Sequence, residues 1–375
     1  MSSNSRKKIY LHIGRHKTGT SAIQEFLKMN QDLLRIKGIL YPSTGLTPTS
    51  GQGGLAWCFR YRQDSYELYD QLYKEIENSG LENVLISSEG FLEPGVFEDL
   101  VFRYLSKEIF DVTVIVYVRR QDTFFESAYK QAIEGGGRCC TIDKYKCRLD
   151  LLEIVEPWAN YYGDDKVIVR PYEKQQFIGN SLFTDFLSNL RVDDISQFKI
   201  PGNRVNPTLS NDAIPLVLAV NRKRLPEIVR HRIISRLVSS IPKSENEPPL
   251  LSPQERLNLV EHYEETNKIV ARRFLDRDDG RLFYDQLPDL NDRWHQNEGL
   301  DTNKAVSLLL DATLDEITCA ADLSQMTNIQ RKQIIDLQNE LDRKKSELEA
   351  IQSSTFFKLI KPLRWITSKN EKSWG

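Results

Sequence analysis

The chain has 375 residues, in which 51 Lys and Arg nearly balance 53 Asp and Glu to give a formal net charge of -2. This length accommodates one large domain and a smaller part, and the near-zero charge argues against nucleic acid as a partner, so an anion site must be local. The five cysteines are odd in number and form no Cys-x-x-Cys pair, which argues against a disulfide framework or a zinc site.

Short apolar runs rich in β-branched residues alternate with amphipathic helical stretches in the first part of the chain. The runs are IYLHI at 9–13, VLIS at 84–87, VTVIVYV at 112–118 and VIV at 167–169. Near-continuous apolar strands separated by helices are typical of a parallel sheet covered on both faces. The sequence therefore predicts an α/β domain.

A glycine loop, GRHKTGTS, follows the first predicted strand. Gly14 and Gly19 have the spacing of the Walker A motif, but Lys17 precedes the second glycine, and Thr20 stands where the motif has its lysine. This displacement disfavours a nucleoside triphosphatase. Because a helix is predicted from about Thr20, the loop and the helix N-terminus still predict an anion pocket. Lys17 would reach the first phosphate of a nucleotide with a short 5′ group.

A second motif, VIVYVRRQDTFFESAYKQ, places Arg119 at the end of a strand and Ser127 in the second turn of the next helix. A guanidinium and a hydroxyl at the carboxyl end of a parallel strand can bind a second phosphate. The eight-residue spacing to Ser127 selects Arg119 over its neighbour Arg120, which is expected to form an ion pair or lie at the surface. Two phosphate sites predict a nucleotide phosphorylated at both ends.

The patterns change along the remainder of the chain. From about residue 207 helices replace strands, and one opens with a capping box of Ser252 and Glu255. A composition change near residue 300 divides the chain into a domain at 1–300 and a tail at 301–375. The tail predicts a short coiled coil, and through it a homo-oligomer. Its seam residues, interrupted by Lys344, are Ile334, Leu337, Leu341, Leu348 and Ile351.

Together the two phosphate motifs resemble those of sulfotransferases that use 3′-phosphoadenosine-5′-phosphosulfate (PAPS), most closely bacterial proteins with an N-terminal His-Ile-Gly and Lys-Thr-Gly-Thr-Ser pattern. The resemblance covers roughly residues 7–295 and implies a P-loop NTPase-like parallel sheet flanked by helices, with a C-terminal helical extension. It also implies PAPS as co-substrate and no metal. Arg119 and Ser127 would bind the 3′-phosphate. The loop would hold the 5′-phosphosulfate through Gly14, Arg15, His16, Lys17, Thr18, Gly19, Thr20 and Ser21.

The resemblance also suggests catalytic residues. Lys17 would stabilise charge on the leaving phosphate. Related enzymes carry a His or Glu just after the second core strand, which makes Glu89 in NVLISSEGF the first candidate for the general base. His16 is a second candidate for contact with the acceptor, whereas His12 is expected to pack in the core. Arg204, on a late loop, would close over the nucleotide.

The last segment, STFFKLIKPLRWITSK, mixes aromatic and basic residues as a membrane-surface anchor would, and it resembles the ends of bacterial glycan-assembly enzymes. It suggests that the acceptor is a carbohydrate or glycolipid hydroxyl of a cell-surface glycan. The N-terminus lacks the apolar region of a signal peptide. We therefore expect a cytoplasmic protein with peripheral contact at the inner membrane face.

Two other functions are compatible with the same patterns. A P-loop small-molecule kinase would require ATP and magnesium, and the position of Lys17 disfavours it. A non-catalytic nucleotide-binding scaffold acting through the coiled coil would bind PAPS without turning it over.

Overall fold

The computed structural model describes residues 6–48, 51–60, 65–202, 209–244, 247–292, 294 and 300–353. The chain divides into two compact units, 1–301 and 302–375. The predicted α/β class is confirmed, because the first unit is built on a five-stranded parallel sheet flanked by helices. The strands are β1 Lys8–His12, β2 Ile39–Leu40, β3 Asn83–Ser87, β4 Asp111–Val118 and β5 Val167–Pro171.

The strands lie in the order β2-β3-β1-β4-β5, so the first strand occupies the centre. Tyr10 of β1 is opposite Leu85 of β3 and Thr113 of β4. Alternate side chains supply two apolar layers: Ile9 and Leu11 enter one, and Tyr10 enters the other. Burial on both faces explains why the runs are almost continuously apolar.

The helices cover the sheet and continue beyond it. In the first unit they are α1 Thr20–Met29, α2 Gln31–Ile36, α3 Gly53–Arg60, α4 Ser65–Ser79, α5 Val96–Asp99, α6 Gln121–Glu134, α7 Leu151–Tyr162, α8 Leu182–Asn189, α9 Ile214–Asn221, α10 Glu227–Ser240, α11 Pro253–His262 and α12 Glu264–Leu275. The predicted capping box at the start of α11 is confirmed, since Ser252 and Glu255 bond to each other's backbone N–H groups.

The topology places three connections at one edge of the sheet. The glycine loop follows β1, a short 3₁₀ turn at Glu89–Leu92 follows β3, and α6 follows β4. Since β3, β1 and β4 are parallel neighbours, their carboxyl ends are adjacent. This is the edge where open α/β sheets bind ligands.

The second unit contains one long helix, α13 Thr302–Ser353. Two predicted seam residues have described side chains, Leu337 and Leu341, and both are exposed. An exposed apolar seam is compatible with a coiled coil, which stays a prediction, as does the homo-oligomer. Within the described residues, no helix has the length and apolar character needed to cross a bilayer. The basic-aromatic segment predicted to contact membrane lies outside them.

Candidate functional site

The glycine loop between β1 and α1 has a backbone that depends on two glycines. Gly14 and Gly19 have φ values of 44° and 78°, in the left-handed region. A Cβ at Gly14 would lie 2.7 Å from Cγ2 of Thr20, and one at Gly19 would lie 2.6 Å from Cδ2 of Leu182. Neither position therefore accepts a side chain without rearrangement.

Hydrogen bonds to one carbonyl fix the turn of this loop. The carbonyl oxygen of Arg15 accepts from the backbone N–H of Thr18 at 3.3 Å and from its hydroxyl at 2.6 Å. It also accepts from the Thr20 hydroxyl at 3.1 Å. The α1 N-terminus has no side-chain cap and no acidic residue in its first turn, among the described residues. The orphan N–H groups at this end of the helix attract anions.

Lys17 occupies an unusual backbone conformation at the tip of the loop. Its φ of 62° is rare for a residue with a side chain, and its side chain is exposed. In the described part of the chain, no carboxylate pairs with its ammonium group. Lys17 lines a cavity of about 840 Å³ together with Arg119 and Ser127. The structure thus brings the two predicted phosphate-binding motifs to one cavity.

Arg119 is held by hydroxyl groups and a backbone carbonyl. Its Nε donates to Oγ1 of Thr123 at 3.1 Å and its Nη1 to Oγ of Ser127 at 3.2 Å. Nη1 also lies 3.4 Å from the carbonyl oxygen of Lys17. Partial burial lowers the pKa of Arg119 below its ordinary value. Because its bonded partners are uncharged, the positive charge is available to an anion in the cavity.

Arg120, next in sequence, has a structural role. It is 6% exposed, and its guanidinium bonds both carboxylate oxygens of Asp122, at 2.8 and 3.0 Å. Its Nη1 donates to the carbonyl oxygens of Asp285 and Gln286. These contacts agree with the expectation that Arg120 forms an ion pair, whereas Arg119 lines the cavity.

The cavity contains further charged residues that the sequence analysis missed. From the face of α6 come Glu126, Lys130 and Glu134, and from the region after α10 come Lys243 and Arg256. Lys130 pairs with Glu247 at 3.1 Å, and Arg256 pairs with Asp122 at 2.9 Å. Burial raises the pKa of both Glu126 and Glu134. Lys243 has no acidic partner within the described residues, and it adds a positive charge to the lining of the cavity.

The two candidate bases, Glu89 and His16, are in contact with each other. Nδ1 of His16 forms an ion-pair contact with Oε2 of Glu89, while about half of the imidazole surface is exposed. The hydrogen bond with Glu89 raises the pKa of His16 above 6.5. Burial raises the pKa of Glu89, but hydrogen bonds and charge from His16, with a hydrogen bond from Thr20, outweigh this and lower it overall.

Other residues predicted from the loop lie in different surroundings. Arg15 is 4% exposed, its guanidinium lies 3.5 Å from the ring centroid of Phe124, and it donates to the carbonyl oxygen of Arg148. Burial lowers the pKa of Arg15 to about 9. Arg15 therefore anchors the loop to α6 and does not line the cavity.

The remaining predicted residues divide by exposure. Thr18 and Gly14 are buried within the loop, whereas Ser21 is exposed at the start of α1. His12 is buried as expected: its Nδ1 lies 2.8 Å from Oγ of Ser87, and burial lowers its pKa to about 4. Arg204 lies outside the described residues. No group of three or more metal-ligating side chains occurs in the part of the chain that the structure describes.

Comparison with known proteins finds sequence similarity over about half of the chain. An uncharacterized protein of Archaeoglobus fulgidus is 27% identical to this chain over 202 residues, which are 51% of this chain and 53% of that protein. The chain thus spans about half the length of the curated relative it matches. No family model matches the chain, and no solved structure does.

Proposed function

We propose that the first unit is a PAPS-dependent sulfotransferase with a P-loop-type nucleotide site. The observation that carries the proposal is the presence of Lys17 and the Arg119–Ser127 pair in one cavity of about 840 Å³. This volume is in the range of small-molecule and cofactor pockets. The loop and the N-terminus of α1 would receive the 5′-phosphosulfate, and Arg119 with Ser127 the 3′-phosphate.

The charges in the cavity support a nucleotide with several negative charges. Lys17 and Lys243 have no acidic partners among the described residues, and Arg119 is bonded to neutral groups. Glu126 and Glu134, whose pKa values are raised by burial, offset these positive charges only in part. The local field is therefore positive, although the whole chain has a formal charge of -2.

In the proposed reaction, the acceptor hydroxyl oxygen forms a bond to the sulfur of PAPS as the bond from sulfur to the bridging 5′-phosphate oxygen breaks. The electron pair of the broken bond leaves with the phosphate, giving 3′-phosphoadenosine-5′-phosphate (PAP). Lys17 stabilises the charge that develops on this oxygen. In-line sulfuryl transfer resembles phosphoryl transfer, in which positioning and electrostatic stabilisation supply most of the catalysis.

The acceptor proton passes to His16 in this proposal, and Glu89 positions the imidazole. When Nδ1–H donates to the Glu89 carboxylate, Nε2 carries the lone pair that accepts the proton. A raised pKa makes His16 a stronger base than an ordinary histidine, whereas a lowered pKa makes the partly buried Glu89 carboxylate a weaker one. The geometry thus favours His16 over Glu89, the first candidate from the sequence.

A titration of the full chain with PAP and with ATP tests the nucleotide. We expect PAP to bind equally well with magnesium and with EDTA, because Lys17 and Arg119 supply the cationic groups. ATP, which lacks the 3′-phosphate, should bind much more weakly. Tight binding of ATP that requires magnesium would overturn the proposal and favour a kinase. PAP binding without turnover of PAPS on any acceptor would favour a non-catalytic scaffold.

A further inference from the structure

A glycine-rich segment, GQGG at 51–54, is fixed to the carboxyl end of β3. The backbone N–H of Gln52 donates to the carbonyl oxygen of Ser87 at 2.8 Å, and Oε1 of Gln52 accepts from the N–H of Ser87 at 2.8 Å. Gln52 is fully buried. This pair of bonds holds the start of α3 at Ser87, which precedes Glu89 by two residues in the sequence.

Helix α3 packs closely against the turn that carries Glu89. A Cβ at Gly90 would lie 2.7 Å from Cβ of Ala56. A side chain at Gly90 would therefore require rearrangement, and α3 lies directly against the residue that follows Glu89.

Trp57, on this helix, presents its indole next to that turn. The side chain is 45% exposed, and Nε1 lies 3.6 Å from the Cβ position of Gly90. Within the described residues, the indole N–H has no hydrogen-bond acceptor. Cζ2 of the indole also lies 3.3 Å from the Cβ position of Gly53. A half-exposed indole whose N–H has no acceptor among the described residues suits a ligand that offers both C–H surface and hydroxyl groups.

The sheet order separates two sides of the proposed site. The nucleotide residues follow β1 and β4, whereas Glu89 and α3 lie on the β3 side of β1. An acceptor must reach His16 and Glu89 from the side opposite the nucleotide for in-line transfer. Trp57 lies on that acceptor side.

We infer that Trp57 forms an acceptor subsite that binds a sugar ring, with the C–H face of the ring against the indole and a hydroxyl accepting from Nε1–H. This inference rests on the proposed function and specifies its acceptor class from residues of the first unit, independently of the C-terminal tail.

Saturation-transfer NMR on the full chain with saturating PAP tests this assignment. The probes are cellotetraose, chitotetraose, mannotetraose, tetragalacturonate and a tyrosine-containing peptide. We expect at least one tetrasaccharide to bind, Trp57→Ala to weaken it by about tenfold or more, and Trp57→Phe to weaken it less. Phe102→Ala, which removes another exposed aromatic side chain, is the matched control and should change nothing.

Three results would overturn the subsite: equal sugar affinity in the wild type and Trp57→Ala, binding of the peptide alone, or binding of none of the four sugars. A PAP titration of the same samples separates the two proposals. PAP binding without sugar binding would contradict only the subsite. Sugar binding that depends on Trp57, without PAP binding, would leave the subsite intact and contradict the nucleotide assignment.

Discussion

Replacement of His16 by Asn is expected to lower turnover of PAPS by about 10²- to 10⁴-fold while PAP affinity is retained, since a positioned base contributes a factor of this size. The prediction follows from the contact between His16 and Glu89, which leaves Nε2 to accept a proton. Single-turnover rates and PAP titrations on the same preparation measure the two effects. His231, which lines the cavity without contacting Glu89, provides the matched control as His231→Asn.

The pH dependence distinguishes the two candidate bases. His16 must be neutral to accept a proton, so the rate should rise with pH through its pKa, which lies above 6.5. In Glu89→Gln the carboxylate that raises this pKa is lost, so the rising part of the pH–rate profile should move to lower pH. The rate on the plateau above it should fall. A pH–rate profile that rises over the same pH range in Glu89→Gln as in the wild type would contradict the role given to His16. A near-normal rate in His16→Asn would contradict it as well.

Replacement of Lys17 by Met should lower the rate of sulfuryl transfer by about 10²- to 10³-fold, as expected when one preorganised cationic or hydrogen-bonding group is removed from a developing oxyanion. Met keeps the length of the side chain and the left-handed backbone strain at this position, so the change isolates the charge. PAP affinity should fall less than the rate, because Lys17 acts most strongly on charge that develops during bond cleavage.

Lys243→Met is the matched control for this experiment. Lys243 lines the same cavity and, like Lys17, has no acidic partner within the described residues. Because Lys243 is not part of the glycine loop, its removal should weaken nucleotide binding modestly and leave the rate at saturation nearly unchanged. Equal losses of rate in the two variants would mean that Lys17 contributes only to the general field of the cavity.

Much of the fold could be predicted because the residue patterns that indicate its strands and helices are local in the sequence. The strands β1, β3, β4 and β5 carry β-branched apolar runs, and the start of α1 at Thr20 was expected from the glycine loop. Strand β2 was missed because it contains two residues, Ile39 and Leu40, too few for a periodic pattern.

The candidate site was predictable in part for the same reason. Arg119 and Ser127 are eight residues apart on one strand-to-helix connection, so their contact is local. Lys130 lies on the same face of α6, three residues after Ser127, and this spacing could have identified it. Lys243 lines the cavity from the segment after α10, far in sequence from Lys17 and Arg119, so no local pattern could predict its position.

Two loop residues show how packing decides between neighbours. Arg15 and Lys17 are two positions apart in one glycine loop, yet Arg15 is buried against Phe124 and Lys17 is exposed at the cavity. The contact of His16 with Glu89 joins residues on the loops after β1 and β3. It depends on the strand order, which the sequence patterns alone do not determine.

The most direct measurement is calorimetric titration of wild-type protein and Arg119→Ala with PAP and with AMP, which differ only in the 3′-phosphate. Loss of one charge-assisted contact is worth roughly 1.5–3 kcal/mol, or about 10- to 150-fold in affinity. We expect the wild type to prefer PAP over AMP, and we expect Arg119→Ala to remove most of this preference while its AMP affinity stays nearly constant. Equal affinity of the wild type for PAP and AMP, or a preference unchanged in Arg119→Ala, would contradict the assignment of Arg119 to the 3′-phosphate.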